Sequence, residues 1–443
     1  MALTRVAASG REFCRVVGSQ TATHRRFLVA AMLFVSVVIS YVDRSNLSIV
    51  APELATTLHL TPLRMGFIFS GFGWSYALLQ IPASRFVDQV NPRFLYCVVL
   101  VCWSIATCAL GLVSGFATLF ALRVLIGAFE APCYPINNRI AATWFGENER
   151  AGAIGFYTSG QFVGLAFLTP LLSWISTTFG WRSVFGWTGL VGLIWAAVWF
   201  ATYRDPRKFP GVNAAEIALI ANNGGIPDLS ERTASSKSFV WSDLRIVLSH
   251  RKLWAMYIGQ FGLVSVQWFF LTWFPAYLMT YRHIDPRSGG LASLPFLGAF
   301  VGVLSGGFVS DLLLRQGASI TVARKVPIIF GLLLSTSIIG ANYVERPLFL
   351  TFFFTCAYFG SAFASITWSL VSTIAPERLI GLTGGVFNFV GNLAAIVVPL
   401  MVGWLIRGTD FTRPLIFVAS TALLGALCYI GPVGKIERIR NFA

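Results

Sequence analysis

Twelve apolar runs of about 20 residues recur along this chain, and each is long enough as a helix to cross a hydrocarbon layer roughly 30 Å thick. In such a layer every backbone N–H and C=O must be satisfied within the segment or by a neighbouring one, so a chain built of these runs folds as a bundle of helices. With 56% of its 443 residues hydrophobic and 12% charged, against about 25% charged in soluble domains, the sequence has too little polar surface to cover a soluble globule. Soluble enzymes, nucleic-acid binders and disordered tails are excluded.

The runs lie at 27–50, 63–86, 93–113, 116–141, 151–176 and 183–203, and then at 252–279, 290–313, 325–343, 347–373, 380–405 and 412–432. This predicts an all-α polytopic membrane protein of two six-helix bundles, 27–203 and 252–432, with tails at 1–26 and 433–443. Residues 204–251, rich in Arg, Lys, Asn, Ser and Pro, form the linker between the bundles. Within it, the apolar spacing from Phe239-Val240-Trp241 to Ile246-Val247-Leu248 predicts a helix along the membrane surface. His24-Arg25-Arg26 superficially matches a twin-arginine export signal. The following run continues through Asp43-Arg44 without a small-x-small cleavage site, so the pair is an anchor for the first helix. Ser84-Arg85-Phe86-Val87-Asp88 with Arg93, and Gly307-Phe308-Val309-Ser310-Asp311 with Arg315, Arg324 and Lys325, fall at equivalent loops of the two halves. Paired halves are what a rocking-bundle transporter uses, with its site between them at mid-membrane. A channel has no need of them.

The formal net charge of +15 would suit a polyanion partner, but most of the 33 Lys and Arg sit in alternate loops and the two termini. That bias assigns both termini and the basic loops to the cytoplasm, with anionic lipid headgroups rather than nucleic acid as their partner. The seven cysteines (Cys14, Cys97, Cys102, Cys108, Cys133, Cys356, Cys428) lack CxxC or Cys/His spacing. His24, His59, His250 and His283 fall in loops or tails, so no metal site is expected.

Of the 18 acidic residues, Asp43 and Glu130 lie inside apolar runs, each near an arginine: Arg44 adjacent to the first, Arg123 seven residues before the second. A charge at a helix centre costs on the order of 2.5–3.5 kcal/mol, and such residues usually mark ion or substrate pathways. Buried pairs that merely lock helices are the plainer alternative. Against it, burial and neighbouring cations pull a carboxyl's proton affinity in opposite directions, which suits a group that gains and loses a proton. Seven residues span about 10 Å of helix, so Arg123 and Glu130 share a face without needing to touch. Either arginine offers a planar fork to an anionic substrate. Tyr41, Tyr76, Gln80, Thr158, Gln161, Gln267, Ser365, Trp368, Ser369, Ser372, Asn388 and Asn392 recur at helical spacing. Singly each suits a helix-bridging hydrogen bond; together they suit a sugar-sized cavity. Gly381-Leu382-Thr383-Gly384-Gly385, and Gly160 with Gly164, fit close helix contact or flexing rather than a phosphate loop.

These residues resemble the major facilitator superfamily, specifically its anion:cation symporter branch, from about 27 to 432. The resemblance is carried by Tyr41-Val42-Asp43-Arg44-Ser45-Asn46, Phe129-Glu130-Ala131-Pro132, Gly155 through Phe162, Trp268 through Pro275, Ala364 through Ser369 and Gly384 through Phe389. Within the branch it runs toward bacterial D-galactonate/proton symporters, with hexuronate and glucarate transporters as near relatives. It implies proton coupling at Asp43 and Glu130 with Arg44 and Arg123 as charge partners. It implies sugar-acid contacts at Tyr41, Arg44, Tyr76, Gln161, Ser365, Trp368 and Asn388. It also implies a cytoplasmic gate at the helix-end loops carrying Asp88, Arg93, Asp311 and Arg315. There Ser84 stands where Gly is usual, Gln89 where a basic residue is usual, and Asn91-Pro92 where Gly is usual.

The expectation is therefore a monomeric, non-enzymatic symporter of the bacterial inner membrane. It imports a sugar-acid anion such as D-galactonate with protons, by alternating access and without a cofactor. A hexuronate or aldarate symporter is the nearest alternative. An anion exchanger without proton coupling would favour basic residues in both halves, and the second-half runs have none in their middles. Two intramembrane arginines disfavour a cation-expelling pump. A non-transporting sugar-acid receptor would add soluble surface that this chain lacks.

Overall fold

The structure, a computed structural model, describes residues 21–227, 241–284, 290–376, 379–408 and 410–439, and within them the chain is almost entirely helical. Six long segments precede the linker: α1 (Arg25–Thr57), α2 (Pro62–Gln89), α3 (Pro92–Leu110), α4 (Phe116–Trp144), α5 (Glu147–Phe179) and α6 (Trp181–Thr202). Six follow it: α7 (Arg251–Thr272 continued by Phe274–Tyr281), α8 (Leu291–Arg315), α9 (Ile320–Asn342), α10 (Pro347–Ile374), α11 (Ile380–Leu405) and α12 (Thr412–Ile430). Ten of these are long and apolar enough to cross a membrane alone, and α7, bent by 51° at its break, makes eleven. The remaining segment, α2, has 28 residues and carries Arg64, Ser70, Ser75, Tyr76, Gln80 and Asp88. It packs between α4 and α11, and a helix flanked by protein does not need an apolar surface all round.

The segments exceed the apolar runs at some ends. α1 continues to Thr57 instead of 50, and α5 begins at Glu147 instead of 151. Polar terminal turns are helical too, which hydropathy does not register. α4 breaks after Glu130, where Pro132 lacks the N–H that an uninterrupted ladder requires. Within the first half α1 packs on α5, α3 on α6 and α2 on α4; within the second, α8 packs on α10, and α7 on α11 and α12. At the α1–α5 contact a Cβ on Gly160 would lie 2.8 Å from the Phe34 carbonyl, so this glycine is a close-approach residue. Gly381 and Gly385 face open space, so the second glycine cluster makes no such contact.

Both ends of the described chain lie on one side of the bundle, the tail side. The halves meet from mid-depth toward the opposite, far side. A Cβ on Gly66 would lie 2.6 Å from the Pro399 carbonyl, and one on Gly403 would lie 2.6 Å from that of Pro62, so α2 and α11 touch backbone to backbone. Ser48 Oγ donates to the Thr272 carbonyl at 2.5 Å and Ser293 Oγ to that of Ala166 at 2.6 Å. At mid-depth Gln267 donates to Gln161 at 3.2 Å, and Asn388 donates to Gln80.

On the tail side the polar stretch between the halves contributes two α-helices among the described residues. A helix at Ala214–Asn222, capped by Asn213, docks on the first half. Its buried Glu216 accepts from the Arg25 and Arg26 N–H groups at 3.2 and 3.1 Å and pairs with the Arg26 guanidinium, which also holds Glu149 at 3.0 Å. The stretch read as a surface helix contains a helix at Trp241–Ser249, with Phe239 and Val240 outside the described residues.

Gly403→Val removes the backbone contact of α2 with α11, and overpacking of this kind costs about 1–3 kcal/mol. The far side then gives way, and spin labels at Thr57 and Arg407 report a longer distance than in the wild type. An unchanged distance distribution in a folded variant contradicts the seam.

Candidate functional site

The four charges that the sequence singled out converge inside the first half and are closed to solvent: Arg123 and Glu130 are 0% exposed, Asp43 1% and Arg44 4%. Their pairing differs from the sequence neighbourhoods. Asp43 does not pair with Arg44, and Glu130 does not pair with Arg123. Instead Arg44 Nε donates across α1–α4 to Glu130 Oε2 at 2.9 Å, and Arg123 Nη1 donates to the main-chain carbonyl of Asp43 at 3.4 Å. The reason is geometric. Adjacent helix residues point about 100° apart, so Asp43 and Arg44 face different neighbours, while residues seven apart are separated by about 10 Å of rise.

Ser40, one turn before Arg44 and on the same face, donates to the same Glu130 oxygen at 2.8 Å. Three rings surround the Arg44 guanidinium: Tyr41 at 4.7 Å, Tyr76 at 4.8 Å and Phe72 at 4.9 Å. Phe72 and Tyr76 are i, i+4 on α2 and stack at 5.0 Å, which brings both to one guanidinium. The Arg123 guanidinium lies 5.5 Å from the same Phe72 ring. Asp43 takes a side-chain hydrogen bond from Trp103 Nε1, at 3.1 Å to Oδ2, with the Thr188 hydroxyl near the same carboxyl. Five buried polar atoms on these four residues find no partner: Asp43 Oδ1, Glu130 Oε1, Arg44 Nη2, and Arg123 Nε and Nη2. In a folded protein such atoms mark a place where water or a ligand binds.

The lining residues follow. Tyr41 is buried and its hydroxyl accepts from Tyr134 at 3.4 Å. Tyr76 is buried against the Arg44 cage, and Gln161 is buried at the junction of the halves. In the second half Asn392 donates to Asn388 Oδ1 at 2.9 Å. Trp368 stands half exposed, its ring centroid 5.1 Å from that of Phe387 in an edge-to-face arrangement, and Ser365 sits in a short tight turn, Ala364–Thr367, that interrupts α10 just before it. Thr367 donates to buried Gln260 at 2.8 Å. Thus Tyr41, Arg44 and Tyr76 form one group, and Gln161 and Asn388 join halves. Ser365 and Trp368 lie on the opposite bundle from the charges.

At the helix-end loops the basic residues of the repeat take different partners. Asp311 pairs with Arg324 at 3.4 Å, not with Arg315, which is exposed on the last turn of α8. Arg93 donates to the Phe200 carbonyl at 2.9 and 2.6 Å. Asp88 lies on the last turn of α2, and its side chain is outside the described residues. Ser40, Phe72, Trp103 and Tyr134 escaped the sequence analysis. Only Ser40 carried a signal, its i, i+4 spacing to Arg44; the aromatics are ordinary members of apolar runs.

Residues 33–399 match the family model of the Major Facilitator Superfamily. The chain is 48% identical over 418 residues to the D-galactonate transporter of Escherichia coli O6:H1, covering 94% of this chain and 97% of that one. It is 37% identical over 438 residues to a probable galactarate/D-glucarate transporter of Bacillus subtilis, covering 97% and 96%. Among solved structures, the fold is similar to a bacterial homolog of the human lysosomal transporter Spinster, in an inward-facing and unoccupied conformation. That likeness has a TM-score of 0.70 at 18% identity and covers 94% of this chain and 98% of that one.

Glu130→Ala leaves the Arg44 cation buried without its counterion, and breaking a buried pair from one side costs about 3–5 kcal/mol. Asp43→Asn breaks no ion pair. Thermal unfolding in detergent therefore shows a clearly lower midpoint for Glu130→Ala than for Asp43→Asn; equal midpoints would contradict this pairing.

Proposed function

The chain belongs to the Major Facilitator Superfamily and is a membrane transporter, not an enzyme; from that premise we propose that it imports a sugar-acid anion, D-galactonate or a similar hexonate, together with protons. The 48% identity to a D-galactonate transporter supports the substrate class. The observation that carries the coupling is the Arg44 site: one guanidinium, caged by three rings, gives Nε to Glu130 and leaves Nη2 unpartnered.

A substrate carboxylate and the Glu130 carboxylate compete for that guanidinium. Ionised Glu130 wins because it is already in place. A proton on Glu130 removes its charge, and the planar fork then turns to the incoming anion. With both acids ionised, the four buried side chains sum to zero. Each proton taken up leaves one net positive charge, which in a low-dielectric interior is costly until an anion neutralises it. Proton and anion are thereby bound together.

The sugar hydroxyls find Tyr41, Tyr76, Gln161, Ser365, Trp368 and Asn388. The Gln161–Gln267 and Asn388–Gln80 bonds cross the halves, so hydroxyls that exchange for them report occupancy to both bundles. Closure of the tail side and opening of the far side complete the cycle by rocking of the bundles. The tails and the basic loops face the cytoplasm of a bacterial inner membrane, as the charge bias requires, and the far side faces outward. The site is complete within one chain, which supports a monomer.

In proteoliposomes, an inward pH gradient with the acidic side outside drives accumulation of D-galactonate, and accumulation indifferent to the gradient defeats the coupling. Glu130→Gln lowers driven uptake at least about tenfold, on the scale of losing a positioned acid–base group, while counterflow exchange persists. Undiminished accumulation by that variant rejects the role of Glu130.

A further inference from the structure

Asp43 and Glu130 each accept one close hydrogen bond from an uncharged side chain, and the two donors differ in kind. Ser40 Oγ donates to Glu130, and a hydroxyl that rotates also accepts from a carboxylic acid, so that contact survives either protonation state. Trp103 has no such freedom, because an indole N–H only donates. It is wholly buried and aims Nε1 at Asp43 Oδ2. Oδ2 is committed to accepting, whereas Oδ1 is buried and bonded to nothing. The other groups facing this carboxyl are Arg123 and Glu130 from α4, Cys108 from α3 and, from α6, Thr188, whose hydroxyl stands near the carboxyl but donates to the Phe185 carbonyl at 3.4 Å and accepts from Asn46 at 3.2 Å, with Arg44 next in sequence. Arg123 spends its hydrogen bond on the main-chain oxygen of Asp43, not on the carboxyl. Trp103 is therefore what orients the acid.

We propose that Trp103 is a positioning residue for proton uptake: by occupying Oδ2 it leaves Oδ1 as the atom of Asp43 that receives the proton. The proton arrives from solvent as hydronium, adds to an Oδ1 lone pair and later returns to water. The Nε1–H bond to Oδ2 persists throughout, passing from charge-assisted to neutral. Because the bond is stronger to the ionised form, Trp103 also favours release after the far side has closed. The inference rests on the proton coupling proposed above and adds the atom and its orienting partner.

The test follows proton-driven uptake against external pH in proteoliposomes of the wild type, Trp103→Phe and Trp103→Gln. Trp103→Phe keeps a ring and loses the donor, so the alkaline limb of its profile moves to higher pH by about one unit, the scale of one hydrogen bond to a charged group. Trp103→Gln, which keeps an N–H donor, moves it less. A limb that stays in place in Trp103→Phe overturns the proposal. Infrared pH-difference spectra of the wild type give a reading that needs no Trp103 variant to fold. The C=O band lost in Asp43→Asn absorbs at the lowered frequency of a hydrogen-bonded carbonyl, and a free-carbonyl frequency overturns the proposal. Wild-type uptake that ignores pH defeats the coupling itself, and the infrared band then decides the geometry alone.

Discussion

Two buried acids and two buried arginines share a volume closed to water, and their mutual compensation is the constraint on which this bundle turns. Only one formal ion pair exists among them, Arg44 with Glu130. Arg123 reaches the group through a backbone carbonyl, and Asp43 is held by an indole. The remaining stabilisation comes from aromatic faces. The Phe72 ring lies near both guanidiniums and 5.7 Å from Trp268 on α7, so one side chain of α2 touches the charge cluster and the second half together. Cation–π contacts of this type contribute about 0.5–2 kcal/mol when desolvated. They hold an arginine in place without neutralising it, which leaves its charge available to an anion.

Motion between the halves depends on an inequality of attachment. Across the seam the contacts are backbone against backbone at glycines, plus single hydrogen bonds such as Ser48 to Thr272 and Ser293 to Ala166. Within each half the helix ends are tied by charged side chains. Arg26 bridges Glu149 and Glu216 in the first half. In the second, Lys252 donates to the Lys435 and Glu437 carbonyls, and Ile439 N–H donates to Ile374 at 3.0 Å. Two stiff bodies joined by glycine contacts and a few hydrogen bonds move as units, because parting the seam breaks no ion pair among the described residues.

Much of the architecture was legible because apolar run length is a direct consequence of bilayer thickness. The boundaries of α10 and α11 agree with the runs to within a residue. α1 and α5 extend further, since Glu53 and Glu147 sit on helical turns that hydropathy treats as loop. The four buried charges were legible by their cost. Their partners were not, because pairing depends on the rotation of one helix against another, and the sequence offered proximity along the chain in its place. At the helix-end repeat the sequence grouped Asp311 with Arg315, Arg324 and Lys325, and only the packing of α9 against α8 selects Arg324 as its partner. Trp103 and Phe72 gave no signal, because in an apolar run an aromatic that holds a charge is indistinguishable from one that fills space.

The excess of basic residues on the tail side does structural as well as topological work. Every even-numbered helix ends there, so its last carbonyls, unpaired within the helix and carrying the negative end of its dipole, point that way. Among the described residues, basic side chains sit on five of these six ends. Arg139 donates to Val87 and Val90 at the end of α2, and Arg150 to Phe145 at the end of α4. Arg93 and Arg204 share Phe200 at the end of α6. Arg438 donates to Ser372 near the end of α10, and Lys325 to Ile430 at the end of α12. The odd-numbered helices end on the far side, where Arg282 on the Ala341 carbonyl at the end of α9 makes the corresponding contact. A charge bias usually attributed to insertion alone is thus also the set of caps that closes the helices on one face. Exchanging the two faces of this chain in a membrane would carry those caps with it, so lipid and insertion decide the orientation while the caps decide that the folded bundle keeps its basic residues together.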